Sequence, residues 1–198
     1  MNQTIIDECE YSDEIKIKGE AIIKIDDRIV AKCENKWTRW FMASLVESVC
    51  WVNSIKDAIA HATSVQTARV GTDTATPTSV DMTDLAQKVD IAPSSVTRRW
   101  IRDTDRWRWI TQYEFIWNPS VLPSMTIGEV GILFSLSSDG WTSPYVCNAS
   151  AWRAVISILY QPESRLGVRV SVADGDFSPI DYVHTQTLSF VWRFIVQP

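Results

Sequence analysis

Histidine is scarce in this chain of 198 residues, which contains only His61 and His184. No acid or nucleophile lies at a motif spacing from either of them, so we expect both to be ordinary structural histidines. No GxSxG, HExxH or P-loop pattern is present, and Gly71 lacks the second glycine and the lysine that follow in a phosphate-binding loop. The sequence therefore predicts a protein that is not an enzyme and needs no cofactor.

Zinc-site cysteine spacing and long apolar runs are also missing. The four cysteines are scattered, without a CxxC or a Cys/His pair; we interpret them as buried free thiols, with a disulfide as the alternative. Asp174-Gly175-Asp176 is interpreted as a turn, because the further ligands of a calcium site are missing. No run approaches the ~20 apolar residues of a membrane helix, and the polar, acidic start does not resemble a signal peptide. We expect a chain made in the cytoplasm, with no metal and no membrane partner.

Positive charge is in deficit, and tryptophan is in excess. The formal net charge of −5 argues against a general nucleic-acid binder, which would present a basic surface. The ten tryptophans are large, flat side chains that must be buried, stacked or placed at an interface.

Alternation of apolar and polar residues predicts that most of the chain forms strands. The Asp26-Asp27 pair predicts a hairpin turn between the first two strands. The predicted strands are 15–25, 29–31, 65–70, 107–117, 130–136, 152–160, 166–172 and 188–196. Residues 72–80, rich in Thr, Pro and Ser, are predicted to form a loop. Strands separated by turns, with few helices, indicate an antiparallel β-sandwich.

One main helix is predicted at about Asn35–Cys50, with Asn35 as its cap and an aromatic-rich face at three- and four-residue spacing. Shorter helices are predicted at Ser54–His61 and at Met82–Val89, the latter capped by Asp81. Residues 1–14 are acidic and lack periodicity, and we interpret them as a flexible arm or as a segment ordered by a partner. Residues 15–198 are predicted to form a single β-sandwich domain.

A basic stretch at Arg98–Arg108 contains five arginines and two aspartates, interleaved with tryptophans. It is interpreted as a strand whose arginine stems pack on aromatic rings, as a protein interface, or as a site for single-stranded nucleic acid. The net negative charge of the chain disfavours nucleic acid. The candidate interface residues are Arg98, Arg99, Trp100, Arg102, Arg106 and Arg108.

Three segments in order resemble a family of phage and archaeal-virus structural proteins, found among tail-fibre, tail-tip and related virion proteins. Residues 68–78 (ARVGTDTATPT) resemble its Gly-Thr-rich loop, with Asp73 where the family often has a second glycine. Residues 127–134 (IGEVGILF) resemble its "Ile-x-Glu-Val-Gly-Leu-Phe" segment, and residues 167–170 and 186–196 resemble its closing strands. The resemblance covers about residues 15–198 and implies a non-enzymatic β-sandwich, present in several copies on a particle, at a tail or a capsid vertex.

Glu129 lies between apolar neighbours in the second of these segments. A buried carboxylate needs a partner, so we predict that Glu129, beside Gly131, is a structural polar anchor paired with Arg169 or Arg193.

Three functions remain open from the sequence. The first is a virion protein in the tail (fibre, tip or baseplate) or in a capsid turret, whose partners are further copies of itself and other virion proteins. The second is a carbohydrate-binding module for a host-surface glycan, and the third and weakest is a glycan-degrading enzyme. The acidic arm of one copy is expected to pair with the basic stretch of a neighbour.

Overall fold

The computed structural model describes residues 16–42, 65–104, 108–134 and 165–197. These residues form a mainly β fold in which every strand pairing is antiparallel. Sheet A has the strand order β2-β1-β12-β7-β6, sheet B has the order β3-β10-β9-β4-β5, and β8 pairs with β11. The strands are β1 Lys16–Ile25, β2 Arg28–Glu34, β3 Lys36–Trp37, β4 Val65–Gly71, β5 Lys88–Val89, β6 Ser95–Asp103, β7 Arg108–Trp117, β8 Met125–Ile127, β9 Glu129–Phe134, β10 Arg165–Ser171, β11 Ile180–Tyr182 and β12 Leu188–Gln197.

Sheet A begins with the predicted hairpin of β1 and β2. Asp26 and Asp27 both have positive φ, 47° and 64°, as the tight turn between two paired strands requires. Strand β12 pairs with β1 on one side and β7 on the other, so the centre of the sheet joins distant parts of the chain.

Sheet B is centred on β9, in which all six residues are buried. One face of β9 places Val130, Ile132 and Phe134 in the core. The other face carries Glu129 and Gly131 and is covered by the segment between β4 and β5, which contributes the buried Leu85.

The core lies between the two sheets. Alternation in the sequence predicts one core face for residues 107, 109, 111, 113, 115 and 117 and another for residues 188, 190, 192, 194 and 196. The structure buries most of them: Thr111, Tyr113, Phe115 and Trp117 from β7, and Leu188, Phe190, Trp192, Phe194 and Val196 from β12. Trp192 joins the sheets because its ring meets Phe134 of β9 edge-on at 6.0 Å and stacks on Tyr113 of β7 at 5.9 Å.

The predicted main helix begins later than predicted, at Arg39 and not at Asn35. Asn35 lies between β2 and β3 and caps no helix, because its side-chain oxygen accepts a hydrogen bond from Trp192 Nε1 at 3.1 Å. Helical residues begin at Arg39, where Met42 N bonds Thr38 O at 3.3 Å. They continue to Met42, and the predicted remainder, 43–50, lies outside the described residues, as do the predicted helix 54–61 and the predicted strand 152–160.

The predicted helix at Met82–Val89 is wrong. These residues form turns followed by the short strand β5, Lys88–Val89. Asp81, its predicted cap, instead forms an ion pair with Arg39 at 2.9 Å. Leu85 packs onto Gly131 from this loop and not from a helix.

Candidate interaction site

The basic stretch forms strand β6, which stands at one end of sheet A in the described part of the chain. Eight of its nine residues are exposed, from Ser95 to Arg102. A strand exposed on both faces gains little from burial, and an edge strand presents backbone groups to which another chain can pair. Position and exposure together make β6 an available surface.

The register with β7 assigns each side chain of β6 to a face. Arg98, Trp100 and Arg102 lie opposite Tyr113, Thr111 and Trp109, and therefore point to the core side of the sheet. Arg99 and Ile101 lie opposite Gln112 and Ile110, on the outer side. Each face of β6 thus carries arginine next to a large apolar side chain.

Arginine guanidinium groups cover the exposed tryptophan rings on the core side. Arg98 lies over Trp100 at 4.4 Å and over Tyr113 at 5.4 Å, and Arg102 lies over Trp109 at 5.1 Å. Trp100 and Trp109 remain 44% and 42% exposed. Cation–π contact fixes the orientation of these rings while leaving the charges at the surface.

Ion pairing differs among the arginines. Arg108 pairs with Asp103 at 2.7 Å. Arg99 and Arg102 form no ion pair with any other residue that the structure describes. Arg98 has further interactions besides the two rings, and Arg106 lies outside the described residues.

Strand β7 departs from its prediction at one end. The sequence assigned Trp107, Trp109 and the following alternate residues to a single core face. Trp109 has the predicted orientation but is not buried, and Trp107 lies outside the described residues. The exposed apolar residues in and beside β6 therefore include three that the sequence did not single out: Val96, Ile101 and Trp109. Alternation gives the face on which a side chain lies, but it does not show how far the opposite sheet extends to cover that face.

Glu129 and Arg169 form a buried ion pair, with both side chains fully buried. Arg169 Nε donates to Glu129 Oε2 at 2.9 Å, and Arg169 Nη2 lies 2.7 Å from the same oxygen in an ionic contact that lacks hydrogen-bond alignment. Of the two partners predicted for Glu129, the structure pairs it with Arg169. Arg193 instead bonds Glu20 at 2.9 Å and Gln112 at 2.9 Å on the outer face of sheet A.

This ion pair holds the loop after β4 against sheet B. Arg169 Nη1 donates to Thr76 O at 2.8 Å and to Thr78 Oγ1 at 3.1 Å. Glu129 accepts the backbone N–H groups of Ala86 at 3.2 Å and Gln87 at 2.7 Å. The carboxylates of Asp73 and Asp174 lie 3.6 and 3.8 Å from the Arg169 guanidinium, and Ser171 bonds Asp174. We call these residues together the buried ion-pair cluster: Asp73, Thr76, Thr78, Glu129, Arg169, Ser171 and Asp174.

Two glycines provide the space that the cluster needs. A Cβ on Gly71 would meet the Glu129 carboxylate and, at 2.7 Å, Gln87 O. A Cβ on Gly128 would meet the backbone of Asp73 and, at 2.8 Å, the methyl group of Thr74. Gly71, Gly128 and the polar residues of the segments 68–78, 127–134 and 167–170 therefore meet in one place, which indicates a structural role.

Asp174-Gly175-Asp176 forms the predicted turn, with Gly175 at φ 76°. Asp174 accepts hydrogen bonds from Thr78 N at 3.1 Å, from Thr78 Oγ1 and from Ser171 Oγ at 2.7 Å. Burial alone raises the pKa of Asp174, but the hydrogen bonds from Thr78 and Ser171 outweigh it and lower this pKa. Burial raises the pKa of Asp176, and the nearby Asp174 charge adds to the increase. The Asp174 carboxylate is thus engaged in joining the turn to the loop.

The remaining reactive groups have local structural contacts. The exposed His184 Nδ1 lies 3.1 Å from Ser124 Oγ, which also accepts the His184 N–H at 3.0 Å, so this pair joins two loops. Burial, with a contribution from the Asp176 charge, raises the pKa of Cys33 to about 12. Within the described ranges, no group of three or more His, Cys, Asp or Glu residues is placed to hold a metal ion. Among the same residues, no helix is long and apolar enough to cross a membrane.

No protein-family model, curated protein sequence or solved structure matches the chain.

Proposed function

We propose that this protein is a non-enzymatic structural component of a tailed-virus particle, which assembles as a symmetric homo-oligomer in the tail (fibre, tip or baseplate). The location would be the virion, and the partners would be further copies of this chain and other virion proteins. Strand β6 would supply the contact between copies of this chain.

The observation that carries this proposal is the exposure of β6. Arginine and aromatic residues are the types enriched at protein interfaces. Here they are exposed along a whole strand, with Trp100 and Trp109 already oriented by guanidinium groups. Side chains held in place before binding lose less conformational freedom when a partner covers them.

The sequence resemblance gives the proposal its viral context. Residues 68–78, 127–134 and 167–170 fall on β4 with the following loop, on β9 and on β10, which are neighbours in sheet B, whereas residues 186–196 fall on β12 of sheet A. The first three of these stretches supply five members of the buried ion-pair cluster: Asp73, Thr76, Thr78, Glu129 and Arg169. These contacts support the resemblance except at Asp73, which stands where the family often has a glycine.

The first test is the size of the protein in solution. Size-exclusion chromatography with light scattering should give one defined multiple of the 22.5 kDa chain. Mass spectrometry of purified particles from the source culture should then detect its peptides at a stoichiometry consistent with that multiple. A chain that stays monomeric at all concentrations and is missing from particles would contradict the proposal. A location on the capsid surface, as a turret or decoration protein, is the alternative that particle fractionation into tails and capsids would distinguish.

Carbohydrate binding is the second candidate function, because Trp100 and Trp109 are exposed on adjacent strands. A sugar stacks on the face of an aromatic ring, and a guanidinium group already covers one face of each ring. We therefore expect that Trp100→Ala and Trp109→Ala leave any binding on a glycan array unchanged. Binding that these two substitutions abolish would favour attachment to a host-surface glycan.

A further inference from the structure

Strand β6 is selective in the charge of the partner it can accept. It carries Arg98, Arg99 and Arg102 against Asp103, which is three positive charges and one negative charge over nine residues. Charged side chains on an edge strand prevent pairing with strands of like charge. An acidic strand is therefore favoured over a basic or an uncharged one.

We propose that the partner of β6 is the acidic arm, residues 1–14, of a neighbouring copy, which adds to the edge of β6 as a further strand. This inference rests on the homo-oligomer proposed above and names its contact. The arm contains five carboxylates and no lysine or arginine; the carboxylates are Asp7, Glu8, Glu10, Asp13 and Glu14. Its charge is opposite to that of β6 and larger in magnitude.

Both faces of the added strand would carry complementary charge. In an extended strand, successive side chains point to opposite faces, so Glu8, Glu10 and Glu14 share one face and Asp7 and Asp13 share the other. On β6, the arginines are also divided between the faces, with Arg98 and Arg102 on the core side and Arg99 on the outer side. A shift of the register by one residue exchanges the faces of the arm and still leaves carboxylates toward arginine on both sides.

The other exposed edges of the described sheet do not provide this complementarity. Pairing of β6 with β6 of a second copy would place like charges side by side. The opposite edge of sheet A is β2, whose Arg28 and Lys32 outnumber Glu34. The arm is therefore a better match for β6 than either edge strand.

Geometry favours the arm of a second copy over the arm of the same chain. β1 is three strands away from β6 in sheet A, so a strand beyond β6 lies four spacings from β1, or about 19 Å. Covering that distance takes about six extended residues. Those residues, about 10–15, include Glu10, Asp13 and Glu14, which would span the gap and could not lie beside β6. An arm from a neighbouring copy can place all five carboxylates beside β6.

The direct test is a peptide titration. A variant that lacks residues 1–14 keeps every strand described, because β1 begins at Lys16. A synthetic peptide of residues 1–14 is titrated into it and followed by tryptophan fluorescence and calorimetry. The control peptide has Asn or Gln at the five acidic positions. We expect the acidic peptide to bind at least about tenfold more tightly at low salt, with the difference decreasing in about 0.5 M salt. Equal affinity of the two peptides, or no binding by either, would overturn the proposal.

The residues on β6 are tested in the same titration. The double variant Arg99→Glu/Arg102→Glu should lose at least about tenfold in peptide affinity, because neither arginine is needed for an internal ion pair. Arg28→Glu on β2 is the matched control and should bind as the parent does. If the β6 variant fails to fold, as judged by its melting curve, the comparison of the two peptides still decides the question. If Arg28→Glu weakens binding as much as the β6 variant, the site is not β6.

Mixing distinguishes a second copy from the same chain. The arm-deleted chain keeps β6, and the full-length Arg99→Glu/Arg102→Glu chain keeps its arm. We expect each alone to lose the oligomer and their mixture to form a complex of one copy of each. A mixture that stays monomeric while the peptide binds would show that the arm binds its own chain, which overturns the inference. An oligomer that persists in both variants would also overturn it while leaving the proposed homo-oligomer intact, whereas a parent chain that is always monomeric would overturn the proposed function itself.

Discussion

Substitution of Arg169 should reveal how strongly the buried ion-pair cluster stabilises the fold. In Arg169→Leu, Glu129 keeps the N–H groups of Ala86 and Gln87 but loses its only positive partner among the described residues. Thr76 O and Thr78 Oγ1 lose their guanidinium donor as well. Leucine fills part of the space and supplies no donor, so the buried carboxylates are left uncompensated.

The expected loss follows from these contacts. The hydrogen bond between Arg169 and Glu129 alone contributes about 1.5–3 kcal/mol, and the two bonds from the guanidinium to Thr76 and Thr78 add to it. Breaking one partner of a buried pair typically costs about 3–5 kcal/mol. We therefore expect Arg169→Leu to lower the free energy of unfolding by about 3–5 kcal/mol. Glu129→Gln should lose less, about 1–3 kcal/mol, because an amide oxygen still accepts a backbone N–H and Asp73 remains near Arg169, 3.6 Å from Nη2.

Urea unfolding followed by tryptophan fluorescence measures these differences at constant slope. The matched control is Arg28→Leu on the exposed start of β2, which should change stability by less than about 0.5 kcal/mol. The double variant Arg169→Leu/Glu129→Gln should lose at least about 1 kcal/mol less than the sum of the two single losses, because the residues are in contact. A loss below about 1 kcal/mol in Arg169→Leu would refute the reasoning, since it would mean that Glu129 needs no positive partner.

Three further predictions concern other parts of the fold. Trp192→Ala should cost about 3–5 kcal/mol in the same urea assay, because its ring is fully buried between the sheets; a loss under about 1 kcal/mol would contradict its place in the core. Burial alone raises the pKa of Asp84, but hydrogen bonds from Lys88, the Leu85 N–H and Arg69 outweigh it and lower this pKa in the folded state. The contribution of Asp84 to stability is therefore present above its unfolded pKa of about 3.9 and is lost as the pH falls through the lower folded pKa. The melting temperature of Asp84→Asn should therefore fall less steeply with decreasing pH than that of the parent. Partly buried Cys33 has a pKa of about 12, so little of it is thiolate at pH 8. It should react with iodoacetamide at least about a hundredfold more slowly in the folded chain than in urea, as measured by peptide mapping; equal rates would contradict its partial burial.

The strands were predictable because their signal is local. In β7 and β12, alternation over ten residues assigns one face to the core, and the structure confirms that assignment except at Trp109. The hairpin turn at Asp26-Asp27 was equally readable, because two turn-forming residues stand between two alternating segments. These features need no knowledge of residues far away in the chain.

The errors come from contacts with distant residues. Asn35 has the chemistry of a helix cap, and only the packing of β12 shows that its oxygen serves Trp192. Asp81 has the same chemistry, but it pairs with Arg39, and Leu85 packs onto Gly131 from a loop. The sequence limited the partner of Glu129 to Arg169 or Arg193. The choice between them depends on the sheet to which each belongs, since β10, which carries Arg169, lies beside β9, and β12, which carries Arg193, does not. The exposure of β6 could not be predicted, because alternation does not give the order of strands in a sheet.

The central position of β12 has a consequence for synthesis. Strand β1 pairs with β12 along its whole length, from Lys16 with Gln197 to Ile25 with Leu188, and β7 also needs β12 as a neighbour. At about 5–20 residues per second, the ribosome takes roughly 10–30 s to make β12 after β1. During this time the apolar faces of β1 and β7 lack the strand that joins them. Sheet A therefore forms only after β12 has left the ribosome, and a nascent chain that stalls before β12 should depend on chaperones and be sensitive to proteases.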